Sequence, residues 1–298
     1  MDDTSKLFDR QRVRAHRDRA SERFADFDFL HKEISARLAD RLEDMKRRFG
    51  MVLDIGAHNG TLAGILRATS SIETCIQSDI SESMIRRANG HRVVCDEEWL
   101  PFADGVFDAV LSANSLHWVN DLPGTLIQIR RMLKDDGLFL AVLPGANTLK
   151  ELRAAMLSAA SKSTGGFAPS LSPLVEVRDA GALLQRTGFA LPVVDSDTIT
   201  VNYASPFKLF HDLRGMGETN ALMQQHKYIT RKRWWFDVAE AYQELSGNSD
   251  GTVSATFEFI TLTGWKPHAS QQQPAKRGSG AVHLSTVLGP PVAKGGHP

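Results

Sequence analysis

The stretch Val52-Leu53-Asp54-Ile55-Gly56-Ala57-His58-Asn59-Gly60 joins a short apolar run to a turn that glycines bracket. A short, continuous apolar run is typical of a strand buried on both faces, and residues 61–68 continue as a helix. Because glycine has no Cβ, the backbone of such a turn can approach a ligand closely. The stretch therefore predicts the first strand–helix unit of a parallel sheet, with a binding site at its turn.

Further strand–helix units follow this first one. Continuous apolar runs alternate with helical patterns, which is typical of a doubly wound, Rossmann-like α/β sheet with helices on both faces. Ser81 is a suitable N-cap for one of the helices. The predicted strands are 74–79, 91–95, 106–113 and 137–143, and the predicted helices are 81–88, 122–133, 148–161 and 176–187.

Three other regions flank or interrupt this core. Residues 1–48 are predicted as an N-terminal helical arm, 205–250 as a helical lid insertion, and 267–298 as a Pro/Gly-rich, disordered tail. The domain itself would span 49–266, with a last strand over 252–265.

In the arm, apolar residues recur every fourth position and predict one buried helix stripe, formed by Leu30, Ile34, Leu38 and Leu42. An arginine cluster upstream is expected to be a solvated helix face, or alternatively a flap that meets an acidic ligand or partner. Its members are Arg10, Arg12, Arg14, Arg17, Arg19 and Arg23.

Composition excludes several functional classes. The chain has 35 Lys+Arg and 35 Asp+Glu, so no general basic field favours nucleic acid. It contains no apolar run long enough to predict a membrane span. Cys75 and Cys95 form neither a disulfide framework nor a zinc site. With no presequence pattern at its start, the chain is expected to be bacterial and cytoplasmic.

In an open parallel sheet, ligands bind beyond the carboxyl ends of the strands. Asp79 ends the second predicted strand, nineteen residues after Gly60, where an acid can accept both hydroxyls of a ribose. Asp96 and Glu97 follow the third strand, and Asn114 follows the fourth. These positions predict a nucleoside-binding edge.

The first turn also discriminates between nucleotide cofactors. Its Gly-x-x-x-Gly spacing fails the Gly-x-Gly-x-x-Gly pattern of dinucleotide sites. The Asp54 carboxylate would repel the phosphates of NAD but suits a cationic ligand. S-adenosylmethionine has an ammonium, a sulfonium and no phosphate, so the turn favours it over NAD.

These features resemble the successive motifs of a class I S-adenosylmethionine-dependent methyltransferase. More narrowly, the chain resembles the mitochondrial complex I assembly factor 5 family and its bacterial relatives. The segments that carry the narrower resemblance are Leu7–Arg10, Arg17–Ala20, His117–Pro123, Gly165–Phe167, Val201–Tyr203, Gly215–Glu218 and Gly264–Lys266.

The resemblance implies a seven-stranded sheet with one reversed strand. It also implies a protein substrate, namely an arginine of a peripheral-arm subunit of NADH:quinone oxidoreductase, in a reaction described as hydroxylation despite the methyltransferase fold. One departure is His58, which stands at the central glycine of the usual Gly-x-Gly-x-Gly turn. The predicted cofactor contacts are Asp54, Gly56, Ala57, His58, Gly60, Asp79, Ile80, Asp96, Glu97 and Asn114.

No catalytic base stands out in the sequence. His117, Asn114 and Glu218 are the candidates, with Glu218 able to receive a guanidinium and Asp121 the one acid expected beside His117. No metal site is predicted, because the His-x-Asp and His-x-Glu pairs lie in helices, where such neighbours point apart.

The sequence leaves other functions open. A methyltransferase acting on a small molecule is one alternative, and a non-catalytic assembly chaperone that kept the fold is another. His58 favours the chaperone and Asp79 opposes it. No oligomeric state is predicted.

Overall fold

A computed structural model of the chain describes residues 6–68, 71–162, 172–223 and 232–272. Its centre is a seven-stranded sheet in the order β3-β2-β1-β4-β5-β7-β6. The strands are β1 (Phe49–Ile55), β2 (Ile72–Asp79), β3 (His91–Val94), β4 (Phe107–Ala113), β5 (Leu133–Pro144), β6 (Ala190–Tyr203) and β7 (Val253–Trp265).

Helices cover both faces of the sheet. The α-helices of the described residues are α1 (Arg10–Ala20), α2 (Phe29–Asp44), α3 (Thr61–Leu66), α4 (Glu82–Ile85), α5 (Leu122–Met132), α6 (Lys150–Lys162), α7 (Val177–Arg186), α8 (Pro206–Gly215) and α9 (Lys232–Ser246). None of the described helices is long and apolar enough to span a bilayer.

The topology confirms the predicted Rossmann-like methyltransferase sheet. Strands β1 to β5 pair in parallel, whereas β7 runs antiparallel to both β5 and β6. The prediction was wrong about where β5 begins, because the strand starts at Leu133 rather than Gly137. Residues 134–136, near the start of the strand, are charged and lie at the rim of the sheet, where Lys134 pairs with Asp108. The apolar pattern in the sequence therefore begins later than the strand itself.

Two apolar cores lie on opposite faces of the sheet. On one face, the predicted stripe of α2 is almost completely buried, with Leu38 at 0 % and Ile34 at 1 % exposure. On the other face, α5 and α7 pack through residues such as Leu126 and Leu184. Burial of each such side chain contributes about 1.5–3 kcal/mol, so the two cores fix the sheet and the edge at which it ends.

The arginine cluster of the arm is not a uniformly solvated face, and that expectation was wrong for two of its members. Arg17 is 2 % exposed and the Arg10 side chain 12 %, whereas Arg12 and Arg14 remain open to solvent. The cause lies in the fold: α1 crosses the carboxyl edge of the sheet, where carboxylates receive both guanidinium groups.

The lid insertion contains α8 and α9, and the residues between 223 and 232 lie outside the described ranges. The Gly165–Phe167 motif and residues 273–298 of the tail also lie outside them. Contacts group the chain up to Pro267 into one compact unit. Of the second unit, which begins at His268, a short turn is described in which Gln271 N donates to the His268 carbonyl.

Candidate functional site

The first turn of the sheet is built around left-handed backbone. Gly56, His58 and Gly60 have φ angles of 66°, 51° and 82°. A Cβ on Gly56 would lie 1.9 Å from Ser115 Oγ, and one on Gly60 would lie 2.4 Å from Gln77 Oε1. The two glycines therefore let this turn contact neighbouring side chains of the protein.

Asp79 lies at the end of β2, with its carboxylate fully buried and held by three donors. Its Oδ2 accepts the His58 backbone N–H at 3.0 Å and Arg17 Nη1 at 3.1 Å. Its Oδ1 accepts the Ser81 backbone N–H at 2.8 Å. The acid predicted to hold a ribose is thus paired with an arginine of the arm.

The same guanidinium binds two further groups. Arg17 Nη1 lies 2.9 Å from Glu97 Oε1, and Nη2 donates to Ser115 Oγ at 2.8 Å. Ser115 Oγ in turn donates to Glu97 Oε1 at 2.8 Å. Although burial would raise the pKa of Glu97, the guanidinium groups of Arg10 and Arg17 hold it at about 2. Glu97 is therefore a carboxylate at neutral pH.

A second arm arginine engages Asp96, another of the predicted cofactor contacts. Arg10 Nη2 lies 2.7 Å from Asp96 Oδ1 and also contacts Glu97. Its Nη1 donates to the Trp118 carbonyl oxygen at 3.0 Å. Arg10 and Arg17 together thus engage Asp79, Asp96 and Glu97, the three carboxylates that end β2 or follow β3.

Asp54, at the end of β1, has no such partner. Both of its carboxylate oxygens are buried and accept no hydrogen bond within the described parts of the chain. Burial, and then the charge of Asp79, raise the pKa of Asp54 to about 8. A cation or a hydrogen-bond donor would satisfy this group, and protonation otherwise removes its charge.

A cavity of about 580 Å³ opens beside the first turn, beneath the lid helices. Its walls come from the arm, the strand ends, α6, α8 and α9. Among the residues that line it are His58, Asn114, His117, Glu218, Trp234 and Phe257. The structure thus brings all of the predicted catalytic candidates together in one cavity.

Glu218 lines this cavity together with a second acid, Asp28, which pairs with Lys32. Glu218 Oε2 accepts His117 Nε2 at 3.1 Å and Trp118 Nε1 at 3.0 Å, while Oε1 accepts no hydrogen bond from any described residue. Burial would raise the pKa of Glu218, but His117 lowers it below its usual value. Asp121, the acid expected beside His117, instead accepts the Gly124 N–H at the start of α5, so that expectation was wrong.

The cavity wall also carries neutral histidines. His58 Nδ1 donates to the Gly56 carbonyl at 2.8 Å, and its ring stacks on Phe24 at 5.3 Å between centroids. Burial and Arg17 lower the pKa of His58 to about 3. His31 lies beside it, and burial likewise lowers the pKa of that group. These imidazoles are uncharged at neutral pH.

Several polar atoms of the wall are buried and lack partners among the described residues. They are His16 Nδ1, His31 Nε2, Asn114 Oδ1, His117 Nδ1 and Ser172 Oγ. Buried polar groups are nearly always hydrogen-bonded, so such a concentration indicates a ligand site. With Glu218 Oε1, the acceptors among these atoms suit a ligand rich in N–H donors, whereas Arg19, Arg153 and Arg214 of the same wall offer donors to a ligand.

Two further predicted cofactor contacts, Ala57 and Ile80, are covered by other residues of the protein. Ala57 and Ile80 are buried, and Ala57 packs against Ile85 and Ala88 of the protein. The described residues contain no group of three or more histidine, cysteine or acidic residues suited to a metal ion.

Sequence reasoning missed Arg10, Arg17 and Ser115. The signal in the arm was periodicity, because Arg10, Val13 and Arg17 share one face of α1 at helical spacing. Because the apolar Val13 lies between the two arginines on this face, the pattern indicates that the face packs against the rest of the protein. Ser115 carried no such signal, since its role depends on its approach to Gly56.

Comparisons with known proteins agree with this geometry. A family model described as a methyltransferase domain matches residues 53–141. A Danio rerio protein named arginine-hydroxylase NDUFAF5, mitochondrial, is 41 % identical over 288 residues, covering 94 % of this chain and 89 % of that protein. A malonyl-[acyl-carrier protein] O-methyltransferase of Laribacter hongkongensis is 31 % identical over 277 residues, covering 88 % of this chain and 91 % of that protein.

Solved structures match the fold. The YcgJ protein of Bacillus subtilis aligns with a TM-score of 0.55 at 19 % identity, over 78 % of this chain and 98 % of that one. The sequence identity over nearly the whole chain and the order of the strands point to the same family. The chain belongs to the class I S-adenosylmethionine-dependent methyltransferases, in the family that includes the mitochondrial arginine-hydroxylase NDUFAF5 and bacterial relatives.

Proposed function

We propose that this protein binds S-adenosylmethionine and modifies an arginine side chain of a protein partner, a peripheral-arm subunit of NADH:quinone oxidoreductase, during assembly of that complex. The observation that carries the proposal is Glu218, whose Oε1 accepts no hydrogen bond from a described residue, in a cavity that it lines together with Asn114 and His31. The likeness to proteins named arginine-hydroxylases supports the same substrate class.

The residues of the strand ends fit this cofactor. Asp54 lacks a partner for both oxygens, as expected for a carboxyl group that receives the ammonium of the methionine moiety. Asp79 and Asp96 have the position and chemistry to accept hydrogen bonds from ribose and adenine, once the arm arginines release them. When bound, the cofactor supplies a methyl group activated by its sulfonium.

The cavity suits both the guanidinium group and the apolar stem of an arginine side chain. A guanidinium offers five N–H donors, and Glu218 Oε1, Asn114 Oδ1 and the neutral imidazoles offer acceptors. The apolar stem can pack on Trp234 and Phe257, which line the same cavity. Glu218 would bind the charge, while Trp118 and His117 keep its carboxylate oriented.

Binding of an arginine peptide tests this proposal. We expect the wild-type protein to bind a peptide with a central arginine more tightly than its lysine counterpart, because only arginine matches several acceptors at once. Glu218→Gln should lose about 1.5–3 kcal/mol of that affinity, the usual contribution of a charge-assisted hydrogen bond.

The matched control for that experiment is Glu240→Gln, which changes an exposed acid on α9 and should bind like wild type. Equal affinity of the wild type and of Glu218→Gln for the arginine peptide would contradict the assignment of Glu218.

A second candidate function is methylation of an acyl carboxylate. Arg19, Arg153 and Arg214 line the same cavity, and none of them pairs with a carboxylate in the described parts of the chain. Burial and the charge of Arg214 lower the pKa of Arg19, as expected for cations without a counter-ion. Such a group suits a substrate carboxylate, which agrees with the likeness to malonyl-[acyl-carrier protein] O-methyltransferases.

Methyl transfer to a malonyl thioester decides between the two functions. The second function requires cofactor-dependent formation of a methyl ester, lost in Arg153→Gln and retained in Glu218→Gln. If no ester forms while the arginine peptide binds, arginine modification remains the supported function.

A further inference from the structure

Two arginines of α1 engage both of the acids assigned to the nucleoside. Arg17 binds Asp79, and Arg10 binds Asp96. Glu97 joins the two pairs, because it contacts both guanidinium groups. The arm therefore places two guanidinium groups beside the carboxylates of the predicted nucleoside-binding edge.

The Arg17 pair and a bound ribose cannot both use Asp79. Asp79 Oδ2 already accepts two donors, His58 N and Arg17 Nη1, and Oδ1 accepts Ser81 N. The backbone donors belong to the turn and to the start of α4, so they remain in place. The two hydroxyls of a ribose need two acceptor positions on this carboxylate. After the two backbone donors, too few positions are left for both hydroxyls as long as Arg17 fills one of them.

The contacts of the arm favour an exchange. The buried side chains of α1 are Val13, Arg17 and Ala20, and its other arginines are solvated or only partly buried. The apolar surface that α1 buries is therefore small, with Val13 packed beside Trp118 and Ala20 beside Met84, so the ion pairs of Arg10 and Arg17 are a large share of its attachment. Asp18 adds two contacts, because its Oδ1 accepts hydrogen bonds from Ser81 Oγ at 2.5 Å and from Ser83 N at 3.4 Å.

We propose that Arg17, assisted by Arg10, is an exchangeable counter-ion of the cofactor site: it occupies Asp79 and Glu97 in the ligand-free protein, and the adenosine half of the cofactor displaces it together with α1. This inference rests on the proposed function, which makes S-adenosylmethionine the ligand. It assigns Arg17 a role in setting cofactor affinity, because the site must first release the arm.

Hydrogen exchange of the wild-type protein tests the displacement without any substitution. We expect S-adenosylmethionine to speed amide exchange in residues 10–20 and to slow it in the turn 56–60. Slower exchange in both segments would show that α1 closes over the cofactor, and it would overturn the proposal.

Cofactor affinity of Arg17→Met provides a second test, by calorimetric titration. Apparent affinity is reduced by the fraction of molecules whose site is open, so removing the competing guanidinium should lower the Kd by about tenfold or more. Arg14→Met, on the solvated face of the same helix, is the matched control and should bind like wild type. An unchanged or higher Kd in Arg17→Met overturns the proposal.

Amide hydrogen exchange of Arg17→Met without ligand separates the displacement of the arm from the assignment of the cofactor. Arg17→Met without ligand should show faster exchange in α1 than Arg14→Met, with the sheet equally protected in both. If the wild type binds S-adenosylmethionine and α1 stays protected in every case, the exchange mechanism fails and the cofactor assignment stands. If neither the wild type nor Arg17→Met binds it, the cofactor assignment fails, and the exchange mechanism with it.

Discussion

Arg17 Nη1 lies 3.1 Å from Asp79 Oδ2, and both side chains are almost entirely buried, at 2 % and 0 % exposure. The pair joins the N-terminal arm to the end of β2, across 62 positions of the chain. A buried charge needs a partner, so each of these groups accounts for the burial of the other. This relationship makes the arm part of the candidate site.

Gly56→Ala should strongly destabilise the protein. The added Cβ would lie 1.9 Å from Ser115 Oγ, and the backbone is left-handed, which disfavours any side chain there. We expect a loss of about 2 kcal/mol or more in the free energy of unfolding, measured by urea denaturation.

Gly64→Ala is the matched control for Gly56→Ala. It lies within α3 with nothing within 4 Å of the added Cβ, so it should raise stability by up to about 1 kcal/mol. Equal effects of the two substitutions would contradict the packing described for the first turn.

Asp54→Asn should change how stability depends on pH. The pKa of Asp54 is raised to about 8, above its unfolded value, so the native state holds a proton that the unfolded state has released. Stability from this group is therefore present at low pH and is lost as pH rises from about 4 to about 8, by up to about 1.4 kcal/mol per unit.

The amide in Asp54→Asn does not titrate, so its stability relative to wild type should grow across that range. Urea denaturation at several pH values measures the difference. Asp104→Asn, at a solvated surface pair with Arg131, should run parallel to wild type. A parallel curve for Asp54→Asn as well would contradict the raised pKa.

Ser81→Ala should weaken both α4 and the attachment of the arm. Ser81 Oγ accepts the Met84 backbone N–H at 3.0 Å and donates to Asp18. Loss of such an N-cap costs about 1 kcal/mol in the free energy of unfolding. Ser83→Ala is the control, because Ser83 lies two residues further along and its side chain is exposed. A similar loss of stability in both variants would contradict the role of Ser81 as an N-cap.

Periodicity predicted the sheet well because buried parallel strands are apolar throughout. The β1 run and the α2 stripe showed their surroundings directly in the residue pattern, and Ser81 was recognisable as an N-cap. The start of β5 was hidden, because the charged residues Lys134, Asp135 and Asp136 follow Leu133, and Lys134 pairs with Asp108 at the rim of the sheet.

The residues of the candidate site were predictable from the strand ends and, for Glu218, from a motif, but the pairs that they form were not. Asp79 and Asp96 followed from the strand ends, but their partners Arg17 and Arg10 lie 62 and 86 positions away. The partner of His117 is Glu218, 101 positions away, rather than the neighbouring Asp121. Such pairs depend on how the arm and lid pack, which no local pattern encodes.

Mass spectrometry of the peripheral-arm subunits of NADH:quinone oxidoreductase tests the central claim most directly. The subunits would be purified from cells with the wild-type gene, with the gene deleted, and with Glu218→Gln. We predict one arginine that carries added mass, of an oxygen atom or a methyl group, with the wild-type gene, and is unmodified or largely so in the other two. Arginines of identical mass in all three strains would contradict the account.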